Sequence, residues 1–403
     1  MTIIQKNLHL KQLKIGLQEN RVKLIIKSII LNSKHQKILF TYLVAFGQTG
    51  GLEKVNRTIL KCLSSFWEEN IKVDAWSLYD NDTDSKYFPE NNFRGFSKGK
   101  LKFVFELIKN ARTWDKVIVG HINLASAIRL MKIFNPKLKI ILIVHGIEVW
   151  DVLKSNKRWL LENADKIISV SNFTKKIIIR QSNVKTENID VLPNCLDPYF
   201  PKEFISRKPA FLLDRYNLKF EIPVLLTITR INKKEGRKGY DTVIEALKKI
   251  TQSDLSVDFK YLLCGKYEVD EYERLNQKII ESNLSGKVII TGFIKEGELI
   301  DHYRLADIYI MPSKKEGFGI VYIEAAACGL QIIAGNADGS AEALMSGEIG
   351  HLIDPDNQDE IENKLNGLLN NTIVKSEEIS EITYKEYDFE KYKNNLKAII
   401  ENV

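Results

Sequence analysis

Two glutamates, Glu316 and Glu324, flank a glycine-bearing turn in the run Glu316-Gly317-Phe318-Gly319-Ile320-Val321-Tyr322-Ile323-Glu324. An apolar segment ends just before it at Met311, and the pattern predicts a helix starting near Ile320. The amides of Phe318, Gly319 and Ile320 would then offer free N–H groups to a ligand, with the positive end of a helix dipole behind them. Carboxylates beside an anion site make chemical sense when they accept hydrogen bonds from hydroxyls, which sugars and ribose supply. The competing reading is a helix-capping loop with two solvated glutamates.

Three further groups of residues point the same way. Arg230 closes an apolar strand pattern, and Lys238-Gly239 opens the next helical one. Two cations at the carboxyl edge of a parallel sheet suit a diphosphate, Arg as a planar fork and Lys as a point charge. A solvated basic turn is the alternative, and it fits Lys233, Lys234 and Arg237 better than Arg230. The stretch Gly47-Gln-Thr-Gly50-Gly51-Leu-Glu53-Lys54 lets backbone approach a ligand as a helix opens, or is simply a tight strand-to-helix turn. It does not match the dinucleotide fingerprint G-x-G-x-x-G. His145, at the end of the apolar run 138–144, is either a sugar-contacting imidazole or a hydrogen-bonded structural histidine.

The elements that must position these residues alternate. Strand patterns over 38–46, 71–78, 116–120, 138–145, 166–170 and 188–192 are separated by helical spacing over 52–66, 98–110, 123–134, 154–163 and 172–182, with a polar loop at 80–97. Four of the nine prolines (Pro193, Pro198, Pro201, Pro209) then punctuate an interdomain linker. The alternation restarts, with strands over 223–230, 257–264, 287–291, 307–311 and 331–334 and helices over 239–251, 269–283, 296–304 and 320–328. A polar helical tail spans 357–401. The expected class is α/β: two doubly wound Rossmann-like domains facing a central cleft, with a C-terminal helical tail. The expected divisions are a basic extension at 1–36, an acceptor-side domain at 37–200, a nucleotide-sugar domain at 201–385, and a helix at 386–403 that packs back on the N-terminal domain.

Composition excludes several classes. The chain has 403 residues and a formal charge of +7, from 59 Lys+Arg against 52 Asp+Glu. Residues 1–37 hold eight bases and one acid, so the remainder is electrically balanced and offers no body-wide nucleic-acid surface. No apolar run approaches the roughly 20 residues that cross a bilayer, and no secretory signal is read at the N-terminus. Cys62, Cys195, Cys264 and Cys328 lie far apart and read as reduced, mostly buried thiols of a cytoplasmic enzyme. The histidines show no metal-ligand spacing, so no metal is expected. The arm 1–36 interleaves apolar residues with spaced lysines, which suits either an anionic membrane surface or a helix packed on the N-terminal domain.

In this order the motifs resemble the retaining glycosyltransferases of family 4, with the GT-B fold, over residues 38 to about 385. The family's Glu-x7-Glu is met by Glu316 and Glu324, its R-x7-K-G by Arg230, Lys238 and Gly239, and its G-G-x-E by Gly50, Gly51 and Glu53. Its P-N-G-(V/I)-D appears as Pro193-Asn194-Cys195-Leu196-Asp197. The resemblance implies that Arg230 and Lys238 hold the donor diphosphate and that Glu324 binds the ribose. It implies that Glu316, with the amides near Phe318, Gly319 and Ile320, grips the donor sugar, and that His145 contacts that sugar. Phe293 and Ile294 would frame the base, and Gly50-Gly51 would approach the diphosphate or acceptor. The implied activity is metal-independent hexosyl transfer with retention, from a UDP- or GDP-sugar to a glycan or lipid-linked acceptor, with no cofactor and no nucleic acid. The implied location is the cytoplasm or the inner membrane face. A non-catalytic nucleotide-sugar or glycan-binding protein is the alternative; an epimerase or a pyridoxal-phosphate phosphorylase ranks lower. One departure stands out. Where the family often has G-G-x-x-E, this chain has Asp338-Gly339-Ser340-Ala341-Glu342, which puts an acid near the expected sugar pocket.

Overall fold

The computed structural model describes residues 36–47, 49–66, 71–253 and 258–403. The expectation of a basic extension therefore lies, but for its last residue, outside the described residues. The first unit runs β1 (Lys37–Tyr42), α1 (Gly51–Ser64), β2 (Lys72–Ser77), β3 (Phe93–Gly95), α2 (Lys100–Lys109), β4 (Lys116–Val119), α3 (Ala125–Phe134), β5 (Lys139–Val144), α4 (Ser155–Asn163), β6 (Lys166–Ser169), α5 (Asn172–Gln181) and β7 (Ile189–Val191). The second runs α6 (Ala210–Arg215), β8 (Val224–Ile228), α7 (Tyr240–Gln252), β9 (Lys260–Cys264), α8 (Val269–Glu281), β10 (Val288–Gly292), α9 (Glu296–Leu305), β11 (Ile308–Met311), α10 (Ile320–Ala327), β12 (Gln331–Gly335), α11 (Ser340–Ala343), β13 (His351–Ile353), α12 (Gln358–Leu369), α13 (Glu377–Glu386) and α14 (Phe389–Glu401).

Every strand pairing between these elements is parallel. The strand orders are β3-β2-β1-β4-β5-β6-β7 and β10-β9-β8-β11-β12-β13. Strands covered by helices on both faces must be apolar throughout, and Ile140–Leu142 and Val224–Leu226 are fully buried accordingly. Each sheet reverses its winding once, between β1 and β4 and between β8 and β11. Beyond the carboxyl ends of strands at such a reversal the flanking loops diverge and leave a crevice. The loops that leave these strands carry Gly50-Gly51, Gly120-His121, Arg230–Gly239 and Glu316–Gly319. The crossover topology alone brings most of the candidate residues to one pair of edges.

Several boundaries differ from the sequence reading. The first strand ends at Tyr42, not at residue 46. Asp80, from the loop after β2, accepts the N–H groups of Ala45 (2.7 Å), Phe46 (3.0 Å) and Gly47 (2.7 Å) on its carboxylate, and these take the place of strand pairing. The short edge strands β3 and β13, three residues each, lie where a loop or no element is expected. β8 ends at Ile228, so Arg230 sits in the following loop and not on a buried strand. The tail is broken into three helices. In the last of them, Tyr392, Leu396 and Ile400 are buried in one apolar cluster with Cys62 and Leu63 of α1. The ammonium of Lys116 at the start of β4 donates to the Ile400 carbonyl at 2.6 Å. All four cysteines are free and buried.

Candidate active site

The turn after β11 is shaped by close backbone contact across the cleft. Gly317 lies against His145 and Gly146 of the first unit: a Cβ on Gly317 would overlap the His145 carbonyl, and one on Gly146 would sit 2.5 Å from the Gly317 Cα. Gly319 adopts φ +90, where a side chain would be strained, and starts α10. Among the described residues no acceptor takes the Phe318 or Gly319 N–H, so both point from the helix N-terminus with bonding capacity to spare. The Phe318 ring itself turns inward, edge-on to Tyr387 at 5.8 Å, so only its backbone faces the turn. Ile320 is likewise buried.

The two glutamates are already engaged by cations. Glu316 pairs with Lys238, the last residue before the Gly239 cap of α7. Burial works against the charge on Lys238, but the Glu316 carboxylate outweighs it and raises the lysine's pKa. Glu324, on the first turns of α10 and only 2% exposed, pairs with Lys54 of α1 and accepts the Tyr303 hydroxyl at 2.8 Å. Neither carboxylate is therefore a solvated cap. Arg230 is different: its side chain is 76% exposed and pairs with Glu235 at 2.7 Å. Its guanidinium is held by Glu235 in the loop after β8, and not by a buried strand as the sequence reading expects.

His145 is placed by a hydrogen bond of 2.8 Å between Nε2 and the Gly120 carbonyl. That carbonyl requires Nε2 to carry a proton, and Nδ1 is buried without a partner among the described residues. The ring lies parallel to His121 at 6.3 Å. Burial, then the neighbouring imidazole, lowers the His121 pKa to about 4, so His121 is neutral at pH 7. Gly50 caps α1, and Gly51 is its first residue. Phe293 is exposed and Ile294 half-buried just beyond β10, apart from the Glu316 turn in sequence but on the same sheet edge.

Asp338, the acid at the departure from G-G-x-x-E, packs beneath the Glu316 turn. It is 3% exposed, and its carboxylate accepts the Glu316 N–H at 2.6 Å and the Ser340 N–H at 2.9 Å. Burial, with the charge of Glu316 assisting, raises its pKa to about 6 against the hydrogen bonds it accepts. Its role is to pin the turn that presents Glu316.

Sequence reasoning missed the residues that join the two units. Lys54 and Arg57 lie one turn apart on α1 and reach across to Glu324 and Glu296, the latter pair at 2.6 Å. A lysine in the first turn of a helix opposes the dipole and needs an anion, which was the available signal. Glu342 caps α5 from the opposite unit. Its carboxylate accepts from the Asn172 N–H (2.7 Å), the Asn172 side-chain amide (2.9 Å) and the Phe173 N–H (2.7 Å).

Comparison with known proteins agrees with this architecture. The model for Glycosyltransferase Family 4 matches residues 49–200, and that for Glycosyl transferases group 1 matches residues 214–386. A GDP-mannose-dependent alpha-(1-6)-phosphatidylinositol monomannoside mannosyltransferase of Mycolicibacterium smegmatis is 27% identical over 57% of this chain and 61% of its own length. A mannosylfructose-phosphate synthase of Agrobacterium fabrum is 23% identical over 68% of this chain and 62% of its own. The chain thus spans about three-fifths of the length of these curated relatives. Among solved structures, Anabaena HepE in complex with UDP superposes with a TM-score of 0.70 at 18% identity, covering 91% of this chain and 100% of that one. Sucrose-phosphate synthase from Thermosynechococcus elongatus gives 0.72 at 18% identity, covering 91% and 98%.

Proposed function

We propose a reaction for this chain from the premise that it belongs to the family 4 glycosyltransferases of GT-B fold. The chain moves a hexosyl group from a nucleoside-diphosphate sugar to an acceptor hydroxyl, with retention at the anomeric carbon. One observation supports this most: Lys238, Glu316, Glu324 and Lys54 gather at the N-terminus of α10, beside the β8/β11 reversal and facing His145. Residues 37–200 form the acceptor side and 201–385 the donor side. Glu324 takes the ribose hydroxyls, and Glu316 with the 318–320 amides takes the sugar. Phe293 and Ile294 frame the base, and His145 offers Nδ1 to a sugar hydroxyl. Gly50-Gly51 comes close to the diphosphate or the acceptor.

The chemical demand is loss of a diphosphate as positive charge grows at the anomeric carbon. Lys238 and Arg230 stabilise the leaving oxygens electrostatically in a site that contact between the two units shields from water. This arrangement makes the reaction independent of a divalent metal. The bond from the anomeric carbon to the phosphate oxygen breaks while the acceptor oxygen attacks on the same face, and the acceptor proton passes to the leaving phosphate. The relatives named for GDP-mannose and the structures titled with UDP support a UDP- or GDP-sugar donor, and the phosphatidylinositol mannoside relative supports a lipid-linked or surface-glycan acceptor. Such an acceptor places the enzyme at the inner face of the membrane, with residues 1–36 as one contact. Thermal shift with UDP, GDP and ADP tests the donor site, since a ligand of the native state raises Tm by mass action. Stabilisation by one nucleotide together with sugar transfer is expected; stabilisation without turnover would identify a binding protein, and no stabilisation by any of them would remove the reading.

A further inference from the structure

Glu324 leaves a ligand no way in unless something moves. Its side chain is 3% exposed, and both carboxylate oxygens are engaged: Oε1 by the Lys54 ammonium and Oε2 by the Tyr303 hydroxyl at 2.8 Å. The two partners differ in freedom. Tyr303 is fully buried on α9 of the same unit, with its ring set against Tyr309. Lys54 reaches over from the other unit on a four-carbon stem, and its side chain keeps 12% exposure. In the first turn of α1 its charge opposes the helix dipole, so Glu324 is what favours its present place. Room to move lies alongside. Gly51, three residues earlier and on the same face of the helix, has nothing within 4 Å of where a Cβ would stand. Arg57, one turn further on, is joined to Glu296 and keeps α1 on the second unit while the Lys54 side chain shifts.

We infer that Lys54 gates the ribose end of the donor site: it occupies Glu324 while the site is empty and swings aside when ribose hydroxyls take the carboxylate. This rests on the reading of Glu324 as the ribose partner. A buried carboxylate left with one tyrosine would be costly, so the ammonium keeps the empty site intact. Ribose hydroxyls then replace an ion pair instead of filling a vacancy. They add little net affinity, because the hydrogen bonds gained offset the pair that is lost. The nucleoside diphosphate left after transfer meets the same competitor, and the return of Lys54 to Glu324 favours its release. Lys54 thus sets how much the site gains from a ribose and how tightly it keeps the product.

The test is calorimetry of the full chain with UDP and GDP and with their 2′,3′-dideoxy forms, which keep the base and diphosphate but lack the two hydroxyls. The parent should prefer the ribo form by less than ~10-fold, since gain and loss nearly cancel. In Lys54→Met the hydroxyls bond to a carboxylate that has no counter-ion, and each counts at least ~10-fold. The preference should then reach at least ~10²-fold, through tighter binding of the ribo form. Lys54→Arg keeps the charge and should keep the parent's preference. The gate is overturned if Lys54→Met and the parent show the same preference. It is also overturned if the parent alone prefers the ribo form by ~10²-fold or more, a result that needs no variant to fold. Either outcome leaves nucleotide binding standing. If neither the parent nor Lys54→Met binds any of the four nucleotides, the donor-site reading falls and this inference with it.

Discussion

Replacing Glu342 by Gln tests whether contact between the two units is a working part of the site. The carboxylate takes three N–H groups at the start of α5, at 2.7, 2.7 and 2.9 Å. A glutamine keeps the shape and one acceptor oxygen, but its NH2 must face an N–H donor. The variant loses at least one hydrogen bond to a charged group, about 1.5–3 kcal/mol, and the charge–dipole attraction at the helix N-terminus, about 0.3–1 kcal/mol. Asn172 is exposed, so solvent screening favours the low end, about 2 kcal/mol. At ~1.4 kcal/mol per tenfold, the contact between the units weakens about 30-fold. In the proposed reaction nucleotide binding falls to the second unit, so nucleotide affinity should be unchanged by calorimetry. Turnover, which needs both units, should fall by at least ~10-fold, with a larger radius of gyration in solution scattering. A variant with parental kcat and scattering would refute the claim that this cap holds the site together.

Arg230→Ala and Lys238→Ala should each slow transfer at least ~10²-fold if they stabilise the leaving diphosphate, as read in initial-rate assays. Turnover should be undiminished in EDTA, and strict metal dependence would count against cation-assisted departure. Lys54→Met leaves Glu324 buried without its counter-ion. The apo protein should lose about 3–5 kcal/mol and saturating nucleotide should recover part of it, seen as a lower Tm with a larger ligand-induced rise. Asp338 has its pKa raised from 3.8 to about 6, so its contribution to stability is complete below pH 4 and is lost as pH rises through 6. Denaturant titration should show the parent losing about 3 kcal/mol across that window relative to Asp338→Asn.

The parts of the molecule legible in the sequence are those set by local pattern. Parallel strands buried on both faces read as apolar runs, and the helix after Gly319 begins at Ile320 as the glycine turn indicates. The carboxyl-edge placement of Arg230, Lys238, Glu316 and His145 follows from alternation alone. What escaped depends on contacts between distant residues. The strand reading ran past Tyr42 because the segment after it is apolar, and only Asp80, 33 to 35 residues away, ends the pairing. That Asp338 accepts the Glu316 N–H is not legible locally, because the turn brings together residues 22 apart. Nothing local in the sequence singles out Arg57 or sets Glu342 against α5, because their partners lie on the other unit. Three-residue edge strands such as β13 are too short for a period to register.

The central claim is that the cations and carboxylates at the start of α10 bind a nucleoside-diphosphate sugar and stabilise its leaving group. The most direct test is release of nucleoside diphosphate from a panel of UDP- and GDP-sugars, measured side by side for the parent and Lys238→Ala in EDTA. The account predicts steady release by the parent from at least one donor and a loss of at least ~10²-fold in the variant. Equal release by the two proteins, or none by the parent from any donor, would contradict it.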